Sequence, residues 1–535
     1  MSDQPVKKQS FLHGAAVLAM ATLVVKVIGM FYKIPLQNVI GNAGYGYFTT
    51  AYDIYSVLLM VSTTGLPVAM SRMISESQAL GHTAQIKKIF RTALLVFLTL
   101  GIIGSLGMGL LCRRLSVLAT SFDTSWAAIA CLAPSVLFIC IISAFRGFFQ
   151  GQSNMTPTSV SQVFEALCKL FIGLGAAWLI MDSTGSETLA AGGAISGVSA
   201  GCVIAALYLW SRYRKAVRGA SFCNGPVEST RDTMKTLLTI AVPITIGAAG
   251  LQLINLVDTM VFMRRLTGGA GFNQTMAENA KGIYNVCQTI FNLPCAFITP
   301  ITISVIPSIT EHLTKKNSRG AKMVEDSAIR IMSLIAMPCA VGLAVLSGPI
   351  LQLLYGYEGT DLSTGAAILA TLGATVVFNS LVLTTNAVMQ AHGDVKTPVV
   401  NMLIGGVVKV AVNFVLVGMP GINILGAAIG TLCCYGVITT LNLLALGRLE
   451  GDHRLNFSRV MLRPLAAAAI MGVGAFFACR GIQILGLSAK LACLGGVAVG
   501  ATVYAVLVIV LKAITYDDCM LLPKGEKIAK ILRIR

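Results

Sequence analysis

Apolar runs of membrane-spanning length recur along nearly the whole chain, separated by short polar segments. A transmembrane helix needs about 20 predominantly apolar residues. The runs that meet this length lie at 11–35, 46–70, 92–111, 124–145, 158–181, 189–210, 238–262, 283–307, 331–349, 364–389, 399–417, 425–446, 464–479 and 491–511. The pattern therefore predicts an all-α integral membrane protein with fourteen transmembrane helices.

The composition supports this prediction and excludes a large soluble domain. Of 535 residues, 55% are hydrophobic and 12% are charged, whereas soluble domains contain roughly 45–50% apolar and 25% charged residues. Basic loops resist translocation. Because alternate loops and both ends together hold 29 lysines and arginines against 7 in the other loops, we expect both termini to be cytoplasmic.

The net charge of +18 is then explained by topology and by contact with anionic lipids. The basic residues are dispersed over many loops, which argues against a nucleic-acid partner. We expect a multi-pass membrane protein that acts as a monomer.

An internal repeat appears when the chain is shifted by 240 residues. The matching residues are Pro67 with Pro307, Gln150 with Gln390, and Lys169 with Lys409. Two halves of six helices each would be parallel repeats, and transporters of this design bind substrate between their halves. The predicted domains are an N-terminal lobe at 1–210, a cytoplasmic linker at 211–235, a C-terminal lobe at 236–446, and two further helices with a basic tail at 447–535.

Charged residues inside the predicted helices are the strongest functional signal, because a charge in a bilayer is costly and usually faces a cavity or a partner. Lys26 lies too deep in the first helix to reach the surface easily, so we expect it to face a cavity. Lys33 either extends outward or pairs with Asp53. Glu165 and Lys169 are spaced for an i,i+4 pair, whereas Lys409 has Gly405 at the corresponding position.

Asp258 either binds a coupling cation or pairs with Arg264 or Arg265. Glu165 is the second candidate for the coupling cation, which would be Na⁺ or H⁺. The excess of deep positive charge favours an anionic substrate such as one bearing phosphates. The candidate substrate-binding residues are Lys26, Lys33, Asp53, Arg146, Gln150, Glu165, Lys169, Gln390 and Lys409.

Prolines and glycines indicate where helices bend and where they pack closely. The candidate hinges are Pro243, Pro294, Pro300 and Pro307, since proline removes a backbone hydrogen bond. Gly193, Gly197 and Gly201 predict a close helix contact.

The sequence contains no phosphate-binding loop and no paired metal-binding cysteines, so we expect neither an enzyme nor a metal or other cofactor.

Several segments resemble a known transporter family. They are Lys26–Gly29 with Lys33–Pro35, Thr64–Arg72, Arg146–Gly151 followed by Met155–Pro157 and Ser161–Glu165, and Tyr284–Pro307. The chain is similar to the polysaccharide-transport branch of the multidrug/oligosaccharidyl-lipid/polysaccharide (MOP) exporter superfamily. Its pattern resembles the stage V sporulation protein B and MurJ-type lipid II flippases of Gram-positive bacteria.

The resemblance implies a MATE/MurJ-like fold and the flipping of undecaprenyl-pyrophosphate-linked sugars, lipid II or a related precursor. It also implies a place in the bacterial cytoplasmic membrane, with cell-wall synthesis proteins as candidate partners. It implies that Lys26 contacts the pyrophosphate in a central cavity and that the lipid tail lies along 464–511. Gram-negative members carry further cavity arginines on the second helix, where this chain offers Asp53.

Two other functions compete with the flippase. A cation-coupled multidrug exporter of the MATE type would leave Glu165 unpaired and pack Lys169 away from the cavity. A non-transporting membrane scaffold for cell-wall synthases would tolerate the neutralisation of all the deep lysines.

Overall fold

The computed structural model describes residues 11–218, 226–449, 457–511 and 513, and within these ranges the regular structure is entirely helical. The helices are α1 (Phe11–Met60), α2 (Leu66–Ala79), α3 (Thr83–Leu110), α4 (Cys112–Thr120), α5 (Trp126–Gly151), α6 (Thr156–Cys168), α7 (Leu174–Thr184), α8 (Glu187–Arg218), α9 (Thr230–Gly268), α10 (Gln274–Thr314), α11 (Ser318–Val345), α12 (Ser347–Tyr355), α13 (Gly359–Ala391), α14 (Lys396–Leu416), α15 (Leu425–Leu449), α16 (Phe457–Ile484) and α17 (Ala489–Val510). Two π-helical turns, Val61–Gly65 and Lys169–Gly173, interrupt this series.

The all-helical membrane architecture predicted from the sequence is confirmed. Twelve helical segments of the described chain are long and apolar enough to cross a membrane. The first, Met20–Ala79, contains two of the predicted runs, which are separated by a break at Gly41 with φ 72° and ψ −180°. Only glycine adopts this backbone conformation readily. The predicted run 283–307 lies inside α10, which is not among the twelve, so the count of fourteen stays a prediction.

The chain divides into two compact units. Unit 1 comprises Met1–Arg264 with Asn273–Gly282, and unit 2 comprises Arg265–Phe272 with Ile283–Arg535. Most of α9 therefore belongs to unit 1, although the repeat predicted from the sequence counts it with the second half. The predicted linker 211–235 is largely helical where it is described, because α8 continues to Arg218 and α9 begins at Thr230.

Both units contain the same succession of a long helix, a short helix and a second long helix. In unit 1 the short helix α4 lies between α3 and α5, and in unit 2 α12 lies between α11 and α13. Each short helix has nine residues and ends at a left-handed residue, Ser121 with φ 68° and Gly356 with φ 65°. Helix α5 then packs on α3 and α8, as α13 packs on α11 and α15. The internal repeat read from the sequence is thus visible in the helix order.

The two matched glutamines, Gln150 and Gln390, occupy equivalent helix ends. After each, two backbone N–H groups turn back to carbonyls of the preceding helix, the arrangement of a Schellman turn. The donor and acceptor pairs are Ser153 with Gln150 (2.9 Å), Asn154 with Phe149 (2.9 Å), Gly393 with Gln390 (3.0 Å) and Asp394 with Met389 (2.9 Å). The residue in the left-handed region is Ser153 in one turn and Gly393 in the other. Gln150 and Gln390 therefore mark a repeated turn.

Close packing of α8 depends on glycine, as the sequence predicted. A Cβ added to Gly197 would lie 2.3 Å from the backbone nitrogen of Gly173, in the π-helical turn. Such a distance leaves no room for any side chain. The contact fixes the turn that begins at Lys169 against α8.

We expect the substitution Gly197→Val to destabilise unit 1 by about 1–3 kcal/mol or more, because an added side chain must displace the π-helical turn. Thermal unfolding of the purified protein in detergent would show this as a lower midpoint. Gly175→Val is the matched control, since a Cβ at Gly175 meets nothing within 4 Å. Equal midpoints for the two variants would contradict the packing argument.

Candidate functional site

A row of aromatic side chains lines one face of α1 in unit 1. Tyr45, Phe48, Tyr52 and Tyr55 follow one another at helical spacing, with ring centroids 5.9, 4.9 and 6.0 Å apart. Tyr32, which precedes the break in α1, lies 6.0 Å from Phe48. These are ordinary separations for attractive aromatic pairs. The row forms a continuous surface of rings.

The ammonium group of Lys169 lies over this surface. Its Nζ is 4.6 Å from the ring centroid of Tyr52, 5.0 Å from that of Tyr32 and 5.6 Å from that of Phe48. All three distances fall within the range of cation–π attraction. The hydroxyl of Tyr32 donates to the carbonyl of Ala194 at 3.1 Å, which fixes one ring of this aromatic cage. We use "aromatic cage" below for Tyr32, Phe48 and Tyr52.

Glu165 pairs with Arg146 of α5. The Arg146 Nη2 lies 2.5 Å from Glu165 Oε1, and the guanidinium also donates to the hydroxyl of Ser161 at 2.8 and 3.0 Å. The i,i+4 spacing offered Lys169 as the partner of Glu165, but the structure places Lys169 over the rings. Arg146 matches the planar carboxylate and hydroxyl acceptors better than an ammonium would.

Unit 2 has uncharged residues at the matching positions. When the sequence is shifted by 240 residues, Arg146, Ser161 and Glu165 align with Asn386, Asn401 and Gly405. The side-chain amides of Asn386 and Asn401 bond to Asn442 at 2.8 and 2.9 Å. A buried amide network therefore stands where unit 1 has an ion pair, and the deep charges of the two units are not equivalent.

A second ion pair in unit 1 joins Asp53 to Lys281. The two charged groups are 3.6 Å apart, and Asp53 also accepts a hydrogen bond from Thr259 at 2.9 Å. Lys281 is buried and donates to the hydroxyl of Thr50. Lys281 thus occupies the place beside Asp53 that the sequence had offered to Lys33, which is half-buried.

Glu278, one turn before Lys281, completes this polar cluster. It accepts hydrogen bonds from Tyr47 at 2.6 Å, from Thr124 at 2.5 Å and from Gln274 at 3.2 Å. Sequence reasoning missed both residues, because they lie just outside a predicted span. The i,i+3 spacing of Glu278 and Lys281 at the start of α10 was the available signal.

The remaining predicted charged residues are distributed over three helices. Lys26 is exposed on α1, Lys409 is half-buried on α14, and Asp258 is buried on α9. Their assignment to substrate or coupling ion stays a prediction.

The candidate hinges lie in helices α9 and α10, which continue through them. Pro243 is exposed in α9, whereas Pro294 is buried in α10. The side chains of Pro300 and Pro307 lie outside the described part of the chain. Their action as hinges stays a prediction.

Unit 2 contains an apolar cavity of about 470 Å³ between α10, α11, α12, α16 and α17. Pro294, Phe297, Cys339 and Gly342 lie in its wall. Tyr504 also lines it, and its hydroxyl is turned to the carbonyl of Leu334 at 2.9 Å, which leaves the ring facing the cavity. Helices α16 and α17 are the ones to which the resemblance assigned the lipid tail.

Comparison with protein families gives two matches. The model of a family described as polysaccharide biosynthesis protein matches residues 11–313, and the MatE model matches residues 243–415. Among curated proteins of Bacillus subtilis (strain 168), the lipid II flippase MurJ is 26% identical over 479 residues, covering 86% of this chain and 87% of that protein. Stage V sporulation protein B is 24% identical over 527 residues, covering 96% and 98%.

Solved structures share the fold. An inward closed conformation of the lipid II flippase MurJ matches with a TM-score of 0.68 and 14% identity, covering 92% of this chain and 98% of that one. An inward-facing MATE transporter of the MOP superfamily matches with a TM-score of 0.63 and 14% identity, covering 81% and 98%. The expected MATE/MurJ-like architecture is confirmed.

We expect Arg146→Met to lower the free energy of unfolding by about 1–3 kcal/mol, because it leaves the partly buried Glu165 without its guanidinium partner. The double variant Arg146→Met with Glu165→Met should recover most of the loss. Thermal unfolding in detergent measures both variants. If the double variant were as unstable as the single one, the ion pair would not be the source of the stability.

Proposed function

Because the chain belongs to the polysaccharide biosynthesis protein family, we propose that it flips an undecaprenyl-pyrophosphate-linked sugar precursor across the bacterial cytoplasmic membrane. The observation that carries the proposal is the charge balance of unit 1, in which Lys169 is held by rings while the neighbouring cation Arg146 is paired with a carboxylate. A site with excess positive charge favours an anionic substrate. The similarity to the lipid II flippase MurJ over 86% of the chain supports the same substrate class.

The cavity of unit 2 supports a lipid-linked substrate. A volume of about 470 Å³ with an almost entirely apolar wall suits part of a polyprenyl chain. We propose that the tail enters this cavity beside α16 and α17 while the headgroup crosses the membrane by alternating access.

A MATE-type multidrug exporter is the alternative that shares the fold. An exporter of this type is expected to leave Glu165 unpaired and to pack Lys169 away from the cavity. Glu165 instead pairs with Arg146, and Lys169 lies on the rings of α1. A cationic drug would meet repulsion from Lys169, so the flippase accounts better for the structure. A scaffold gives no reason for a half-buried lysine that lies over three rings and has no ion pair in the described part of the chain.

The further features of the function are part of the proposal. The chain acts as a monomeric transporter without catalytic chemistry, with both termini in the cytoplasm. The membrane potential or a gradient of Na⁺ or H⁺ supplies the energy. Anionic lipids contact its basic loops, and cell-wall synthesis proteins use its product.

Depletion of the protein in cells that lack another flippase should remove lipid II from the outer leaflet, because the precursor is then trapped on the inner face. Accessibility of lipid II to an external probe measures this. Unchanged external lipid II together with loss of a different surface polysaccharide would assign the chain to that other precursor. Unchanged levels of every lipid-linked precursor would contradict the proposal.

We expect Gly342→Phe to abolish flipping without unfolding the protein. A Cβ at Gly342 meets nothing within 4 Å and Gly342 lines the cavity of unit 2, so the new ring would fill the space proposed for the lipid tail. Gly481→Phe is the matched control on α16, since its Cβ also meets nothing within 4 Å and it does not line the cavity. If both variants flipped the precursor equally well in reconstituted vesicles, the cavity would have no part in flipping.

A further inference from the structure

A histidine and a carboxylate form a buried pair at one end of unit 2. Glu325 of α11 lies 2.8 Å from the Nε2 atom of His392, the residue that follows α13. Only 3% of the Glu325 side chain is exposed, against 17% for His392. An ionised carboxylate at this depth needs a positive partner, because burial without one is costly. In the ranges that the structure describes, His392 is the only basic residue that forms an ion pair with Glu325.

The partner of Glu325 differs from the partners of the carboxylates in unit 1. Those partners are Arg146 and Lys281, whereas Lys169 lies over the aromatic cage. A guanidinium stays protonated in proteins, and an ammonium ordinarily titrates well above neutral pH. An imidazole exchanges its proton near neutral pH. Among the ion pairs described, the pair in unit 2 is therefore the one in which a buried carboxylate loses its compensating charge within the physiological range of pH.

The internal repeat indicates that the fold does not require charge at these two positions. A shift of 240 residues aligns Glu325 with Gln85 and His392 with Gln152. Gln85 is buried in unit 1, and its side-chain oxygen accepts a hydrogen bond from the backbone N–H of Glu228 at 3.0 Å. Gln152 caps the end of α5 as His392 caps the end of α13. Unit 1 thus forms the same turn with two neutral amides in place of the titratable pair.

The surroundings of the pair are apolar on one side and reach solvent on the other. Val324 and Ala391, which adjoin the pair in the sequence, belong to a buried hydrophobic cluster shared by α10, α11, α13 and α15. The hydroxyl of Thr310 on α10 donates to the carbonyl of Ala391 at 3.4 Å, beside His392. An apolar layer strengthens the attraction between the two charges. The exposed edge of His392 gives a proton access to the pair without any opening of the helices.

The other titratable groups on the surrounding elements are exposed or half-buried, so water and salt screen their charges. Glu311 and Lys315 pair with each other at 2.5 Å, and Asp394 accepts from the backbone N–H of Thr397 at 3.0 Å. No three His, Cys, Asp or Glu side chains of the described chain come together as metal ligands, so the pair lacks the ligand set of a metal site. The groups are Glu311 and His312 on α10, Lys315 and Lys316 after it, Arg319, Lys322, Asp326 and Arg330 on α11, Asp394 after α13, Lys396 on α14, Arg448 on α15 and Arg463 on α16.

We propose that Glu325 and His392 form a proton-binding site in unit 2 and that H⁺ is the ion whose gradient drives the transporter. This inference rests on the proposed flippase function and identifies its energy source. With the proton bound, the imidazolium and the carboxylate together carry no net charge. When the imidazolium releases the proton to water, Glu325 keeps a buried negative charge, which weakens the attraction between α11 and the end of α13. With both termini in the cytoplasm, as proposed above, the site lies at the cytoplasmic end of unit 2.

The test measures flipping of fluorescent lipid II by the purified protein in vesicles of phosphatidylcholine, without a membrane potential. Rates are compared with and without a pH gradient between about 6 and about 8, the range in which an imidazole exchanges its proton. The gradient is imposed in both directions, because reconstituted protein inserts in both orientations. The wild-type protein should flip lipid II several-fold faster with the gradient. The double variant Glu325→Gln with His392→Gln, which places the amides of unit 1 in unit 2, should flip it at equal rates in the two conditions.

His312→Gln is the matched control. His312 lies at the same end of unit 2, but its Nδ1 atom is 3.4 Å from the side-chain amide nitrogen of Asn317 and not beside a carboxylate. This variant should respond to the gradient as the wild-type protein does. An equal response in the double variant, or a wild-type protein that flips lipid II at the same rate with and without the gradient, would overturn the inference and leave the proposed function standing. A wild-type protein that flips no lipid-linked precursor would overturn the proposed function itself.

A second measurement does not depend on transport. A histidine beside a buried carboxylate holds its proton more tightly in the folded chain than in the unfolded chain, so the pair adds stability at low pH that is lost as the pH rises. Between about pH 6 and about pH 8, the midpoint of thermal unfolding in detergent should therefore fall more for the wild-type protein than for His392→Gln. If the two midpoints changed equally over this range, the pair would bind no proton there and the inference would be wrong.

Discussion

The arrangement of unit 1 depends on the cost of keeping positive charge inside an apolar environment. A buried or half-buried lysine or arginine needs a partner, water or a ring to remain charged. Unit 1 supplies carboxylates to Arg146 and Lys281 and aromatic rings to Lys169. The first solution neutralises the cation, and the second holds the lysine over rings that carry no net charge.

The two units show how one helix order can carry different chemistry. Helices α3 to α5 and α11 to α13 repeat the same long, short, long succession, and the turns after Gln150 and Gln390 have the same backbone bonds. Yet Asn386 and Asn401 replace the charged cluster around Arg146, and the apolar cavity lies in unit 2. We interpret this as a division of labour, with the anionic headgroup recognised by unit 1 and the lipid tail by unit 2.

Much of the fold could be predicted from the sequence, because apolar runs of membrane length leave few alternatives to a transmembrane helix. The partners of the charged residues could not be predicted from the sequence. The i,i+4 spacing offered Lys169 to Glu165, but Arg146, on another helix, forms the pair. The aromatic row of Tyr45, Phe48 and Tyr52 has ordinary helical spacing, so only tertiary packing shows that it holds a cation. The short helices α4 and α12 likewise pack on neighbouring helices, which the sequence pattern does not show.

The central claim is that the chain moves a lipid-linked anion and does not export cationic compounds. Purified protein in vesicles can be given fluorescent lipid II and, in parallel, a fluorescent cationic drug, under an imposed membrane potential or cation gradient. We predict rapid movement of lipid II between leaflets and no accumulation of the drug above that in protein-free vesicles. Drug transport with lipid II moving no faster than in protein-free vesicles would contradict the account.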